Sequence, residues 1–141
     1  MPSQLYLVFS SPPAGVTVEE YDRWYHHHVR ENVEVPGFLA SQRFAARLVM
    51  SGSRTTPGRF SSDSEPAGVG ASLDFSHVAM YEFEGDIAEL RRALFERIES
   101  GETVLPGWFD EIQFMTWTFV AIDERVRPMH RSRRDLADSA I

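Results

Sequence analysis

The tetrapeptide VPGF at residues 35–38 returns, in the form LPGW, at residues 105–108. Each copy follows a segment with helical periodicity and leads into an apolar segment with strand character, so the chain contains a repeated helix-to-strand unit. Two split βαβ units of this kind form a ferredoxin-like sandwich. We therefore predict an α+β fold, in which a four-stranded antiparallel sheet carries two helices on one face.

Working outward from the repeat, the sequence predicts the element order βαββαβ. Thr17 and Glu20 have the spacing of a capping box, which starts the first helix, and Gly101 closes the second. The strands are apolar runs bounded by turn residues. The predicted strands cover residues 5–9, 38–50, 73–84 and 112–121, and the predicted helices cover residues 18–33 and 86–100.

The length of 141 residues and the hydrophobic content of 43% fit a single domain with its own core. We place this domain at residues 1–122, with a long Ser-, Gly- and Pro-rich loop at 51–71. Residues 123–141 form an Arg-rich C-terminal extension, which we interpret as a solvated tail or an arm on a partner subunit.

The composition excludes several classes of chemistry. The chain contains no cysteine, and all 14 of its basic residues are arginine, so thiolate nucleophiles and Schiff-base lysines are excluded. The net charge of −7 argues against nucleic-acid binding, and no apolar run is long enough to span a membrane. We expect a cytoplasmic protein that uses imidazole, phenol, guanidinium and carboxylate groups.

The third predicted strand is apolar at both parities. Ala79 and Tyr81 share one face of it, and Val78 and Met80 share the other. One layer of helices covers only one face of a sheet, so the second face needs another cover. We therefore predict a homodimer.

Three consecutive histidines, His26, His27 and His28, lie in the first predicted helix. Side chains one residue apart on a helix diverge by about 100° and cannot converge on one ion, so we predict no metal site. His28 shares the apolar stripe of Tyr21 and Trp24 and is expected to face the core, whereas His26 and His27 are expected to face solvent.

A set of spaced residues resembles the dimeric α/β-barrel superfamily and lies nearest to its EthD-like branch. The residues that carry the resemblance are Trp24, Tyr25, His28, Glu31, Pro36, Gly37, Phe38, Gln42, Arg43 and Phe44. The strand at residues 78–84 is also similar to the third strand of that family. The resemblance implies a homodimer, with a small-molecule pocket between the sheet and the helices of each subunit. It also implies that His28 is the helix histidine of the family and Glu31 the acid that follows it.

We expect the catalytic residues to be His28, Glu31, His77 and Tyr81. Glu31 is three residues from His28 and is placed to orient its imidazole. His77 and Tyr81 share a strand parity and reach the same space if that parity faces the helices; two imidazoles and a phenol suit proton transfer beside a carbonyl. The open alternatives are a core histidine, a solvated acid, a strand-capping histidine and a core tyrosine, respectively.

We expect the substrate-binding residues to be Trp24, Tyr25, Arg43, Phe44 and Trp117. The aromatic rings are interpreted as pocket walls, with plain core as the alternative. Arg43 is expected to pair with a substrate carboxylate or with Glu31, and a structural ion pair is the commoner outcome for such a residue.

The predicted function is that of a cofactor-independent acid–base enzyme, such as a lyase, isomerase, cyclase or dehydratase. Its substrate would be an aromatic, polyketide-like or lactone molecule, as the family resemblance implies. Three alternatives stay open: a ligand- or haem-binding dimer in which His28 or His77 holds the haem, a cofactor-free monooxygenase, and a structural dimer without a site.

Overall fold

The computed structural model describes residues 3–47 and 75–129, and within them the element order is the predicted βαββαβ. A short 3-10 helix, not expected from the sequence, precedes the last strand. The elements are β1 (Gln4–Ser10), α1 (Val18–Val33), β2 (Phe38–Ala45), β3 (His77–Phe83), α2 (Ile87–Glu99), η1 (Phe109–Glu111) and β4 (Phe114–Val120).

The four strands form one antiparallel sheet in the order β2-β3-β1-β4. This order confirms the predicted ferredoxin-like sandwich. Strands β2 and β3 are shorter than predicted, ending at Ala45 and starting at His77. The predicted loop at 51–71 and residues 130–141 of the predicted extension lie outside the described residues.

Side-chain caps fix the start of both helices. The Thr17 hydroxyl accepts a hydrogen bond from the Glu20 backbone N–H (3.1 Å), and the Asp86 carboxylate accepts one from the Ala88 N–H (2.8 Å). Each cap satisfies a backbone donor that the first helical turn leaves unpaired. Among the described residues, no helix is long and apolar enough to cross a membrane.

Gly37 explains why the first copy of the repeat needs a glycine. Its φ of +111° lies in the region that side-chain-bearing residues rarely adopt, and a Cβ at this position would stand 2.6 Å from Leu90 of α2. Gly107 has open space instead, and the second copy leads into the 3-10 helix η1 rather than directly into a strand. The two copies are therefore similar in sequence, but only the first has a backbone conformation and a close contact that require glycine.

The strand register assigns alternate residues to two different environments. Tyr6 pairs with Tyr81, and both belong to the buried core between sheet and helices. The opposite parity carries Phe44, Trp117 and Phe119, whose exposed fractions are 44, 50 and 42%. Further apolar residues of the same parity are half-buried: Leu5, Leu7, Phe9, Val78, Met80 and Met115. We call this surface the open sheet face.

Candidate active site

A cavity of about 260 Å³ lies between the sheet and both helices. Its volume is a little below the roughly 300 Å³ at which typical ligand pockets begin, so it suits a small molecule. The sheet contributes Tyr6, Val8, Tyr81, Phe114 and Thr116, and η1 contributes Phe109. Helix α1 contributes Tyr25, His28 and Asn32, and α2 contributes Arg91, Leu94, Phe95 and Ile98.

His28 is the imidazole of this cavity. Its position on the inward stripe of α1 leaves it buried, with its ring stacked on Trp24 at a centroid distance of 4.6 Å. Burial lowers the pKa of His28 from 6.5 to about 4, because the charged form loses its hydration. No described residue hydrogen-bonds to its buried Nδ1. The side chain is therefore a neutral imidazole at pH 7.

Tyr81 places a hydroxyl in the same cavity. The Asn32 Nδ2 donates a hydrogen bond to the Tyr81 hydroxyl oxygen over 3.1 Å. Burial raises the pKa of Tyr81 to about 12, so the phenol stays protonated at neutral pH. Because the bond from Asn32 occupies the oxygen as an acceptor, the Tyr81 proton is available for donation to another group.

The altered pKa of His28 predicts acid-sensitive stability. The unfolded chain takes up this proton near pH 6.5 and the folded chain only near pH 4, so the unfolded state binds more protons in that window. The free energy of unfolding should therefore decrease as the pH is lowered through this window, by roughly 3 kcal/mol in total. Urea denaturation at pH 7 and pH 4 should show this loss in the wild type and a correspondingly smaller loss in His28→Phe. Equal losses in the two proteins would contradict the prediction.

A second polar cluster lies on the same side of the sheet but outside the cavity. Its centre is Asp22 of α1, whose carboxylate pairs with Arg43 at 2.7 Å and with the Nε2 of His77 at 3.2 Å. The Nδ1 of His77 lies 2.7 Å from the Ser76 hydroxyl. Burial lowers the pKa of His77, although the Asp22 carboxylate opposes part of that shift. These contacts connect α1 to β2 and β3.

Tyr21 of α1 packs between this polar cluster and the hydrophobic core. Its ring is fully buried and contacts His77 (5.2 Å between centroids) and Tyr25 (5.4 Å). Its hydroxyl hydrogen-bonds to Ser10 of β1. Burial raises the pKa of Tyr21, so the hydroxyl stays protonated.

The structure brings three of the predicted site residues, His28, Tyr81 and Tyr25, to the cavity. Trp24 does not line the cavity but stacks on the ring of His28, which does. His77 shares the parity of Tyr81 as predicted, but it lies four residues along β3, beside Asp22. Their catalytic and binding roles stay predictions.

The structure places the other four predicted site residues outside the cavity. Arg43 pairs with Asp22 rather than Glu31, and its guanidinium lies 4.6 Å from the Tyr25 ring centroid. Glu31 does not line the cavity or hydrogen-bond to the His28 Nδ1; its backbone carbonyl accepts a bond from Arg97 (3.0 Å). Phe44 and Trp117 lie on the open sheet face, because their strand parity is opposite to that of Tyr81. They are separated from this cavity by the sheet.

The histidine run behaves as helical geometry predicts. His26 and His27 are exposed, whereas His28 is buried. Within residues 3–47 and 75–129, no group of three or more His, Asp or Glu side chains is arranged to hold a metal ion.

Comparison with known proteins shows likeness in fold. No protein family model matches the sequence, and no curated protein matches it. The hydroxynitrile lyase from Passiflora edulis matches with a TM-score of 0.52 and 11% sequence identity, over 89% of this chain and 97% of that chain. An ethyl tert-butyl ether d (EthD) family protein from Bacillus halodurans C-125 matches with a TM-score of 0.42 and 14% identity, over 83% of this chain and 97% of that chain. At 11% identity the likeness to the lyase shows the fold alone.

The sequence-based predictions missed several cavity residues. Asn32 follows His28 by four residues, the spacing that places two side chains on one helix face, so this signal was present in the sequence. Arg91 likewise precedes Leu94 and Ile98 by three and seven residues on the inward face of α2. Tyr6 shares the parity of Val8, but a strand with apolar residues at both parities does not reveal which face meets the helices.

Proposed function

We propose that this protein is a cofactor-independent acid–base enzyme of lyase or isomerase type that acts on a small hydrophobic molecule bearing a hydroxyl or carbonyl group. One observation carries the proposal: a neutral imidazole, His28, and a protonated phenol, Tyr81, line the same largely apolar cavity. Proton transfer needs one group that accepts a proton and a second that stabilises the oxygen of the reacting molecule.

In this proposal Tyr81 donates its hydroxyl proton in a hydrogen bond to the substrate oxygen, and Asn32 holds the phenol in position. His28 then removes a proton, either from a substrate hydroxyl or from a carbon beside the carbonyl. In the first case a carbon–carbon bond breaks, a carbonyl forms and the leaving carbanion takes the proton. In the second, the proton returns at another carbon. His28 and Tyr81 lie at the buried end of the cavity, where less water screens both interactions than at its mouth.

Two assays with simple model compounds test the proposal. Mandelonitrile cleavage is followed by the absorbance of benzaldehyde, because a protein of the same fold is a hydroxynitrile lyase. Proton abstraction beside a carbonyl is followed by deuterium incorporation into small aryl ketones in D₂O. We expect at least one reaction to exceed the buffer rate. Binding of these compounds without any acceleration would instead support a ligand-binding protein.

The proposal involves no cofactor, since imidazole and phenol are sufficient for the proton transfers. The alternative of a haem protein conflicts with the small cavity of about 260 Å³ and with the stacking of His28 on Trp24. Hemin added to the purified protein should therefore give no shifted Soret band, and a shifted band would contradict the cofactor-free proposal.

We also propose that the open sheet face is covered by a second copy of the chain. Nine apolar residues share this face, and apolar residues grouped on one face of a sheet are typical of an interaction surface. Sedimentation velocity should show a dimer at micromolar concentration. Trp117→Glu, which puts a charge on the exposed apolar surface of the edge strand β4, should shift the protein to monomer, whereas Val104→Glu, at an exposed position outside the sheet, should not. A monomeric wild type would contradict this proposal.

A further inference from the structure

We propose that the ligand of the cavity carries a carboxylate, which Arg91 binds at the cavity mouth while the reacting oxygen lies against His28 and Tyr81. This inference rests on the proposed active site and specifies its substrate class as small hydrophobic acids.

Arg91 is the charged residue among those that line the cavity. The other residues that line the cavity are uncharged: their polar groups are the amide of Asn32, the hydroxyl of Thr116, the neutral imidazole of His28 and the phenols of Tyr6, Tyr25 and Tyr81. Arg91 is exposed, whereas His28 and Tyr81 are buried, so the cation lies at the outer end and the acid–base pair at the inner end. A ligand that satisfies both ends has a carboxylate on one side of an apolar body and an oxygen function on the other.

The described surroundings of Arg91 leave its charge without a protein counterion. Within the described part of the chain, Arg91 makes no salt bridge, in contrast to Arg43 and Arg97. The residues three and four positions away on α2, which are its helical neighbours, are all apolar: Ile87, Ala88, Leu94 and Phe95.

Arg92 provides an internal contrast on the same helix. Its helical neighbours include Glu89, three residues before it, and Glu96, four residues after it, so acidic groups flank its charge. Arg92 does not line the cavity. An arginine that only covers apolar surface with its aliphatic stem would need no anionic ligand, and a test must separate this role from carboxylate binding.

Two probes of similar shape distinguish carboxylate binding by Arg91 from mere coverage of apolar surface. 4-Acetylbenzoate has a ketone and a carboxylate at opposite ends of one ring, and 4-acetylbenzamide replaces the carboxylate by a neutral amide. Isothermal titration at pH 7 should give about tenfold tighter binding of the acid, since hydrogen bonds to charged groups contribute more than neutral ones. The preference should weaken as salt is added, because the site opens to solvent.

Arg91→Gln should remove the preference for the acid, and Arg92→Gln should keep it. Equal affinity of the wild type for both probes, or an unchanged preference in Arg91→Gln, would overturn the inference, as would failure of the acid to bind at millimolar concentration. The readout is binding alone, so it does not depend on turnover. An acid preference in a protein without catalytic activity would support the role of Arg91 and reject the proposed enzyme function separately.

Discussion

His28→Phe is expected to fold and to lose turnover by about 100- to 10,000-fold, the usual contribution of a positioned general base. Phenylalanine keeps an aromatic ring against Trp24, which stacks on His28 at 4.6 Å, but it has no nitrogen to accept a proton. The rate should be measured with whichever substrate the mandelonitrile and deuterium-exchange assays identify, and the fold should be checked by circular dichroism.

His27→Phe is the matched control for this experiment. It introduces the same substitution one residue away, on the exposed side of α1, and should leave the rate unchanged. A folded His28→Phe protein with the wild-type rate would show that His28 is a core residue and that another group accepts the proton.

Tyr21→Ala is expected to lower the free energy of unfolding by about 3–5 kcal/mol, as large-to-small substitutions of buried aromatic residues do. The Tyr21 ring is fully buried and contacts Trp24, Tyr25, His77 and Trp108 at centroid distances between 5.2 and 6.3 Å. Alanine leaves a cavity among these rings. Urea denaturation at a fixed protein concentration measures the loss, which should appear as a lower transition midpoint.

Tyr21→Phe separates packing from hydrogen bonding at this position. It keeps the ring but leaves the buried Ser10 hydroxyl without its Tyr21 partner, which should cost about 1–2 kcal/mol. If Tyr21→Ala is no more destabilising than Tyr21→Phe, the contacts of the Tyr21 ring contribute little to stability and the prediction is wrong.

The sequence was sufficient to predict the fold because its signals are local. The Thr17 cap, the inward stripe of α1 and the turn at Pro36-Gly37 each depend on residues a few positions apart. The inward orientation of His28 was predictable for the same reason. The end of β2 was harder to predict, because an apolar run does not specify where its hydrogen-bonded partner ends.

The parts of the site that sequence reasoning missed depend on contacts between distant elements. The pairing of Arg43 with Asp22 joins a strand to a helix 21 positions earlier, and Glu31 was an equally reasonable partner on charge alone. The faces of Phe44 and Trp117 depend on which side of the sheet the helices cover. A strand that is apolar on both sides contains no local information about that choice.

Alternation along β4 has a practical consequence for protein engineering. Phe114 and Thr116 line the cavity, whereas Met115 and Trp117, their immediate neighbours in sequence, belong to the open sheet face. Libraries that randomise the first pair can therefore alter ligand preference while the surface proposed for self-association keeps its residues, and libraries at the second pair can do the reverse. One seven-residue strand offers two separately adjustable properties.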